Sequence, residues 1–149
     1  MALVDPHSYA DDAQARTKHL RLHLAVDFAA KRIDGRAVLV FEAPASGPLD
    51  LDTKGLTISA VTASAGGEVL FETGPEDPIL GTRLRLKLPP STTEVLIRYQ
   101  TSPEAIGLQW LEPEQTEGKK HPFLFSQCQA IHARTMVPCQ DTARFRVTY

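Results

Sequence analysis

The sequence contains no run of about 18 apolar residues, the length that a membrane-spanning helix needs. Its first residues, Met-Ala-Leu-Val-Asp-Pro-His, lack the basic and apolar stretches of a secretory signal peptide, so we expect a cytoplasmic location and no membrane partner. Cysteine is scarce. Only Cys128 and Cys139 are present, and in a reducing compartment we expect both to remain free thiols.

An excess of charge of one sign is also missing. Lys and Arg number 16 and Asp and Glu number 18, so the formal net charge is −2. A chain this close to neutrality has no overall field to hold nucleic acid, and we expect no nucleic-acid partner. The length of 149 residues and the hydrophobic content of 42% are those of one ordinary globular domain.

Complete catalytic motifs are absent as well. Neither H-E-x-x-H nor C-x-x-C occurs in the sequence. His19 and His23 lie on a predicted strand, where four residues span about 13 Å, too far for two ligands of one zinc ion. The same arithmetic separates Cys128 from His132 and argues against a thiol–imidazole pair. We therefore assign no catalytic residue and no metal ligand to this chain.

What the sequence does contain is apolar–polar alternation with a period of two. Between residues 18 and 42 this alternation predicts two strands, and Asp34-Gly35 predicts the tight turn that joins them. Further strands are predicted at residues 49–51, 56–62, 68–71, 84–88, 94–101, 108–111, 123–137 and 144–149. No ten-residue window has helical periodicity, so the sequence predicts a single all-β domain with a sandwich-like arrangement of mostly antiparallel sheets.

Several segments are predicted to interrupt or bound these strands. Residues 74–78 are expected to form a loop, and Pro89-Pro90 is expected to end a strand because proline cannot donate to a ladder.

Residues 1–15 are expected to be a flexible lead-in, followed by the domain at residues 16–149. The alternation continues to Tyr149, so we expect either a further domain beyond it in a longer protein or a C-terminal edge strand.

The segment from Phe125 to His132 carries two neutral amides. If the segment is extended, Gln127 and Gln129 project from one face and Cys128 projects from the other. Two amides offer four N–H donors and two carbonyl acceptors, a set that suits the backbone of a peptide ligand. The alternative interpretation is that these amides bond neighbouring backbone groups or face water.

Six segments are distinctive as a set, namely Arg16–Leu20, Leu51–Lys54, Leu108–Leu111, Pro113–Thr116, His121–His132 and Pro138–Thr142. Together they resemble the N-terminal domain of the leukotriene hydrolase branch of the gluzincin zinc aminopeptidases, and residues 125–132 and 138–142 are the most specific. The resemblance covers residues 16–149. It implies a saddle-shaped, all-β domain placed beside a separate catalytic domain.

The resemblance also implies a role for the amides. It places Gln127, Cys128, Gln129 and Ala130 in the pocket for the N-terminal residue of a peptide substrate, with Gln129 as a neutral acceptor for the free amino group. It implies zinc in the catalytic domain of the parent enzyme, because the family's H-E-x-x-H motif is not in this chain. On this hypothesis the partners are a peptide substrate and the missing catalytic domain, and the chain alone is inactive.

A second hypothesis is a stand-alone β-rich binding or scaffold module without catalysis. The two hypotheses predict different surfaces. The aminopeptidase hypothesis predicts exposed apolar side chains near residues 127–131 and near the C-terminal strand, where a catalytic domain docks. The stand-alone module predicts a polar surface in the same place.

Overall fold

Two antiparallel sheets contain the strands of this computed structural model, which describes residues 5–149. The strands are β1 (Thr17–Asp27), β2 (Arg32–Thr53), β3 (Thr57–Ala63), β4 (Phe71–Asp77), β5 (Gly81–Gln100), β6 (Leu108–Leu111) and β7 (Phe123–Ser126). Short 3-10 helices lie at Pro113–Gln115, Glu117–Lys119 and Ala133–Thr135. The prediction of a single all-β, mostly antiparallel domain is confirmed. Across the described part of the chain, no helix has the length and apolar character to cross a membrane.

The larger sheet is built on the two long strands β2 and β5. Its order is β1-β2-β5-β3, and β4 also pairs with β5. β3 pairs with residues 95–100 of β5, whereas β4 pairs with residues 81–86. The β2–β5 register shifts between Val40 and Gly47, which divides both long strands into two halves. The sequence predicts separate strands on the two sides of this stretch. In the structure, β2 and β5 each continue through it as one strand.

Period-two alternation places most of the core correctly, although Leu24 and Val26 at the end of β1 are exposed. The fully buried apolar side chains of the larger sheet are those of Ala37, Leu39, Leu49, Leu51, Val61, Leu84, Leu86, Val95 and Ile97. A second, smaller cluster of Ile33, Ala105 and Leu108 packs against Trp110 and Leu124 and so attaches the β6–β7 ribbon. Met136 packs against both clusters, which places the segment after β7 at their junction.

The prediction of a turn at Asp34-Gly35 is wrong. The turn occupies residues 28–31, where the Asp27 carboxylate accepts the N–H of Ala30 at 2.9 Å. Gly35 instead lies within β2 opposite Tyr99, and a Cβ atom at Gly35 would stand 2.3 Å from the Tyr99 ring. The glycine is needed because an aromatic ring lies across the strand, not because the backbone turns.

Both predictions based on proline are also wrong. β5 continues through Pro89-Pro90. Proline has no backbone N–H to donate, but the opposite stretch of β2 is where the register shifts, so no regular ladder requires that donor. The expected loop at residues 74–78 lies largely within β4. That strand pairs only with β5, and its register shifts between Thr73 and Glu76, so Pro75 is accommodated at an irregular position of an edge strand.

The two predicted strands nearest the C-terminus are shorter than expected. Of residues 123–137 only Phe123–Ser126 form a strand, and a turn and a 3-10 helix follow. Residues 144–149 form no strand, but Thr148 makes an isolated parallel bridge to His19. The N–H of Leu20 donates to the Thr148 carbonyl at 2.8 Å, and the N–H of Thr148 donates to the Lys18 carbonyl at 3.1 Å.

Residues 5–15 contain no helix or strand, yet they are held against β2. The Gln14 side chain donates to the Asp50 carboxylate at 2.9 Å and accepts the Asp50 N–H at 2.6 Å. The Tyr9 N–H donates to the Asp52 carboxylate at 2.8 Å, and the Ala10 side chain is buried. Residues 1–4 of the predicted lead-in lie outside the described residues, and the domain boundary at residue 15 stays a prediction.

The contact between Gly35 and Tyr99 generates a stability prediction. Gly35→Ala should lower the free energy of unfolding by about 1–3 kcal/mol, because the added methyl group forces the Tyr99 ring or the strand to move. Gly74→Ala is the matched control, since a Cβ atom there meets its nearest neighbour at an ordinary 3.6 Å. Urea unfolding of both variants measures the difference, and equal stabilities would contradict the proposed role of Gly35.

Candidate functional site

The four predicted site residues form one loop directly after β7. We call residues Gln127–Ala130 the glutamine loop. Gln127, Gln129 and Ala130 are exposed and Cys128 is half-buried. The loop is not extended, because the N–H of His132 donates back to the Cys128 carbonyl at 2.8 Å. The expectation that both glutamines project from one face of a strand is therefore wrong, although the structure keeps all four residues together.

The two amides have different roles. The side-chain carbonyl of Gln127 accepts the backbone N–H of Gln129 at 3.0 Å, so this amide helps to shape the loop. The Gln129 amide is exposed and forms no hydrogen bond with any residue between 5 and 149. A ligand can therefore use both the carbonyl and the NH₂ group of Gln129 without breaking a bond within the domain.

Gly107 holds the start of the glutamine loop and the segment that follows the loop. Its carbonyl accepts the N–H of Gln127 at 2.9 Å, and its N–H donates to the Thr135 hydroxyl at 3.0 Å. The Thr135 hydroxyl in turn donates to the His132 carbonyl at 2.7 Å. A Cβ atom at Gly107 would lie 2.6 Å from the Thr135 oxygen, so only glycine allows this close approach.

Arg134 fixes the segment that follows the loop. Its side chain is completely buried, and its Nε donates to the Asp141 carboxylate at 3.0 Å. Its Nη1 donates to the Leu80 carbonyl at 2.8 Å, and its Nη2 donates to the His7 carbonyl at 2.7 Å. Asp52, also fully buried, lies 3.6 Å from Nη1 as a second carboxylate partner. One guanidinium group thus ties the end of the loop to segments distant in the chain.

Asp52 is the buried carboxylate of this network. Burial raises its pKa, and hydrogen bonds from Ser8 and Tyr9 together with the charge of Arg134 act in the opposite direction.

The sequence analysis did not single out Arg134, Gly107 or Thr135. The available signal was an arginine within the largely apolar run from residue 133 to 137, which is an unusual position for a charge unless it is paired.

The two cysteines are free thiols, as expected. The estimate of about 13 Å between Cys128 and His132 assumed an extended chain and does not apply to the observed turn. Burial raises the pKa of Cys128, and the nearby negative charge of Asp141 raises it further. The Cys128 thiol is therefore protonated near neutral pH, which does not suit a nucleophile.

The described residues do not provide a zinc site of their own. Between residues 5 and 149, no three His, Cys, Asp or Glu side chains come together in a way that could hold a metal ion. His19 contacts a hydroxyl group instead, with its Nδ1 atom 2.7 Å from Thr148 Oγ1.

An apolar cleft of about 450 Å³ lies beside the glutamine loop. Its walls include Leu20, Leu22, Cys128, Met136, Val147 and Tyr149. Apolar side chains on the neighbouring segments are exposed, with Phe123 at 54%, Phe125 at 44% and Tyr149 at 95% of their full accessible area. This is the apolar surface that the aminopeptidase hypothesis predicts.

A more open cleft of about 620 Å³ lies on the outer face of the larger sheet. It is lined by polar side chains such as His23, Arg36 and Arg98 and includes no residue of the glutamine loop. Its larger volume does not make it the better candidate, because the predicted site residues are elsewhere.

Comparison with known proteins gives consistent matches. Residues 6–149 match the Peptidase M1 N-terminal domain family. The chain is 42% identical over 154 aligned residues to leukotriene A-4 hydrolase of Xenopus laevis, covering 99% of this chain and 25% of that protein. It is 38% identical to leucine aminopeptidase 2 of Chaetomium globosum, covering 97% of this chain and 25% of that protein. The chain therefore spans about a quarter of the length of these relatives.

Solved structures agree with the sequence matches. Yeast LTA4 hydrolase in complex with bestatin superposes with a TM-score of 0.87 at 29% identity, over 97% of this chain and 23% of that one. An M1 zinc metallopeptidase from Deinococcus radiodurans superposes with a TM-score of 0.64 at 18% identity, over 93% of this chain and 32% of that one. The second likeness shows the fold alone.

The buried network around Arg134 generates a second stability prediction. Arg134→Leu should lower the free energy of unfolding by about 3–5 kcal/mol, because it leaves the buried Asp52 carboxylate without a charged partner. Arg21→Ala, which removes the exposed ion pair with Glu94, should cost about 1 kcal/mol or less. Urea unfolding compares the two variants. A loss at Arg134 no larger than that at Arg21 would show that the network does not hold the domain together.

Proposed function

The chain belongs to the Peptidase M1 N-terminal domain family, and we propose that it works as the N-terminal domain of a larger zinc aminopeptidase. In this proposal the glutamine loop lines the pocket for the N-terminal residue of a peptide substrate. A separate catalytic domain hydrolyses the peptide bond. The observation that carries the proposal is the exposed Gln129 amide, which has no hydrogen-bond partner between residues 5 and 149. It lies on a loop whose start and following segment are both bonded to Gly107.

Gln129 suits the recognition of a free amino terminus. Its carbonyl oxygen can accept a hydrogen bond from the substrate ammonium, and its NH₂ group can donate to a peptide carbonyl. A neutral amide attracts the ammonium less strongly than a carboxylate does, but it costs less to desolvate. Gln127 supports this role by accepting the N–H of Gln129, which restricts the backbone from which the second amide projects.

The chemistry of hydrolysis is assigned to the other domain. A zinc ion bound there polarises the substrate carbonyl and activates water. The residues of this chain only bind and orient the substrate, since its site has no metal-binding cluster within residues 5–149 and its Cys128 thiol stays protonated. The proposal also includes a cytoplasmic location.

The stand-alone binding module is less consistent with the surface. A module that acts alone has no reason to expose Phe123, Phe125 and Tyr149 around one loop. An apolar cleft beside the same loop adds to the surface that a docking domain could cover.

Removing the free amide tests the site directly. In the full-length parent, Gln129→Ala should lower kcat/KM for peptide substrates about tenfold or more, because it removes a positioning contact. Zinc content should be unchanged. Gln100→Ala, an exposed glutamine on β5 outside the loop, serves as the matched control and should leave the kinetics unaltered. Unchanged kinetics for Gln129→Ala would remove this residue from the site.

Metal analysis tests the division between the domains. The purified 149-residue chain should bind no stoichiometric zinc and should hydrolyse no peptide, whereas the full-length parent should bind zinc and be active. Elemental mass spectrometry after dialysis measures the metal, and an aminoacyl chromogenic substrate measures the activity. One tightly bound zinc per 149-residue chain would contradict the assignment of the metal to the other domain.

A further inference from the structure

The open cleft on the outer face of the larger sheet has no part in the proposed function. Its volume is about 620 Å³, and residues of β1, β2, β3 and β5 line it. We call it the arginine cleft and define it by His23, Arg36, Thr57, Ser59 and Arg98. Small-ligand sites usually have volumes of about 300–1,000 Å³, so the cleft has room for a small molecule.

The strand register brings three basic side chains into one row across the sheet. Arg36 lies opposite His23 of β1 and opposite Arg98 of β5. Residues in such positions have Cβ atoms about 4.5–5.5 Å apart and share one face of the sheet. His23, Arg36 and Arg98 are exposed, whereas the chain neighbours Ala37 and Ile97 are fully buried. The row therefore lies on the solvent side of the sheet.

The guanidinium groups of Arg36 and Arg98 have no partner in the described part of the chain. Neither forms an ion pair or a side-chain hydrogen bond with a residue between 5 and 149. Like charges directly opposite each other on a sheet are destabilising, so this pair reduces the stability of the domain on its own. A local arrangement that lowers stability without a structural gain is typical of a functional site.

The carboxylates near the row are paired with other arginines. Glu94 lies 2.7 Å from the guanidinium of Arg21, which is on the same face of β1 but does not line the cleft. Asp34 does line the cleft, and its Oδ2 atom lies 3.5 Å from Nη2 of Arg32. Each carboxylate thus has a cation of its own, and the charge of the two central arginines is left for a ligand.

Two adjacent guanidinium groups suit a phosphoryl group. Each presents five N–H donors in a planar fork, which can bind two phosphate oxygens at once. We propose that the arginine cleft binds the phosphoryl group of a small ligand, either inorganic phosphate or a phosphate monoester. Arg36 and Arg98 bind the dianion, and the His23 imidazole and the hydroxyl groups of Thr57 and Ser59 add polar contacts around it. The proposal is independent of the glutamine loop.

Charge complementarity favours a small ligand over nucleic acid. A phosphate monoester carries about −1.5 to −2 charges at pH 7, which two arginines neutralise. Nucleic-acid binding requires many phosphate contacts along an extended basic surface. This chain has a formal net charge of −2, and the row in the cleft is a local feature.

Titration calorimetry of the full-length parent at physiological ionic strength tests the proposal. Inorganic phosphate should bind with a Kd of about 1 mM or tighter. Arg36→Gln and Arg98→Gln should each weaken this binding about tenfold, because each removes charge-assisted hydrogen bonds to the dianion. Arg21→Gln is the matched control, since it makes the same change on the same face outside the cleft. It should change the Kd about twofold or less, because solvent and salt screen its charge.

A second pair of ligands distinguishes the two sources of the phosphoryl group. Binding of AMP about tenfold tighter than inorganic phosphate, without binding of adenosine, would identify a phosphate monoester as the ligand. Equal affinities for AMP and inorganic phosphate would identify free phosphate. Binding of adenosine as tight as that of AMP would overturn the proposal, because the phosphoryl group would then not be recognised.

Arginine modification locates the site and separates it from a catalytic metal. Phenylglyoxal modifies accessible guanidinium groups, and peptide mass spectrometry measures the rate at each arginine. Phosphate at ten times its Kd should slow the modification of Arg36 and Arg98 about tenfold. Modification of Arg21 is the internal reference and should not change. Equal rates with and without phosphate at Arg36 and Arg98 would overturn the proposal.

The remaining outcomes are also decisive. Absence of binding by phosphate and AMP at about 10 mM would overturn the proposal. Unchanged phosphate affinity in Arg36→Gln and Arg98→Gln would overturn it as well, because the anion would then bind elsewhere in the parent. Both variants remove one of two like charges, so their thermal midpoints in phosphate-free buffer should not fall, which shows that they are folded.

Discussion

The arrangement of the site depends on one completely buried guanidinium group. An arginine stays charged inside a protein, so each of its N–H groups must find an acceptor when water is excluded. Arg134 donates to the carboxylate and the backbone carbonyl of Asp141 and to the carbonyls of Leu80 and His7. These acceptors come from the C-terminal segment, the β4–β5 connection and the N-terminal lead-in. Satisfying one charge therefore brings three distant segments together immediately after the glutamine loop.

The glutamine loop takes its geometry from these surroundings. Its entry and the segment after it are both fixed to Gly107, and Arg134 follows in the same segment. Within the loop, Gln127 bonds backbone, which leaves Gln129 as the amide without a partner among residues 5–149. A binding group on a loop that is already ordered loses less conformational entropy when a ligand arrives, so more of each hydrogen bond contributes to affinity. In the proposed function, the buried network supports binding by ordering the loop and does not itself contact the ligand.

Much of the fold could be predicted because apolar alternation reports directly on which side of a strand is buried. The wrong predictions concern glycine and proline, which can mark the end of a strand but have other roles here. Gly35 makes room for the Tyr99 ring, and Pro89-Pro90 lies where the ladder is already irregular, so neither marks the end of a strand. The segment after Ser126 could not be predicted from alternation. Its path is set by Gly107 and Arg134, whose partners are far away in the sequence. The substrate-binding role of Gln127, Cys128, Gln129 and Ala130 stays a prediction, which rests on resemblance and on the unusual pair of neutral amides.

The electrostatics of the segment are consistent with the proposed role in recognition. The ionised groups that follow the loop, Arg134 and Asp141, already bind each other. The Cys128 thiol is kept protonated by burial and by that same carboxylate. What remains accessible is the uncharged amide of Gln129, which can orient a substrate but cannot exchange a proton near neutral pH. In the proposed enzyme, the metal, the base and the water belong to a second structural unit, and the apolar surface beside the loop is where we propose that this unit docks.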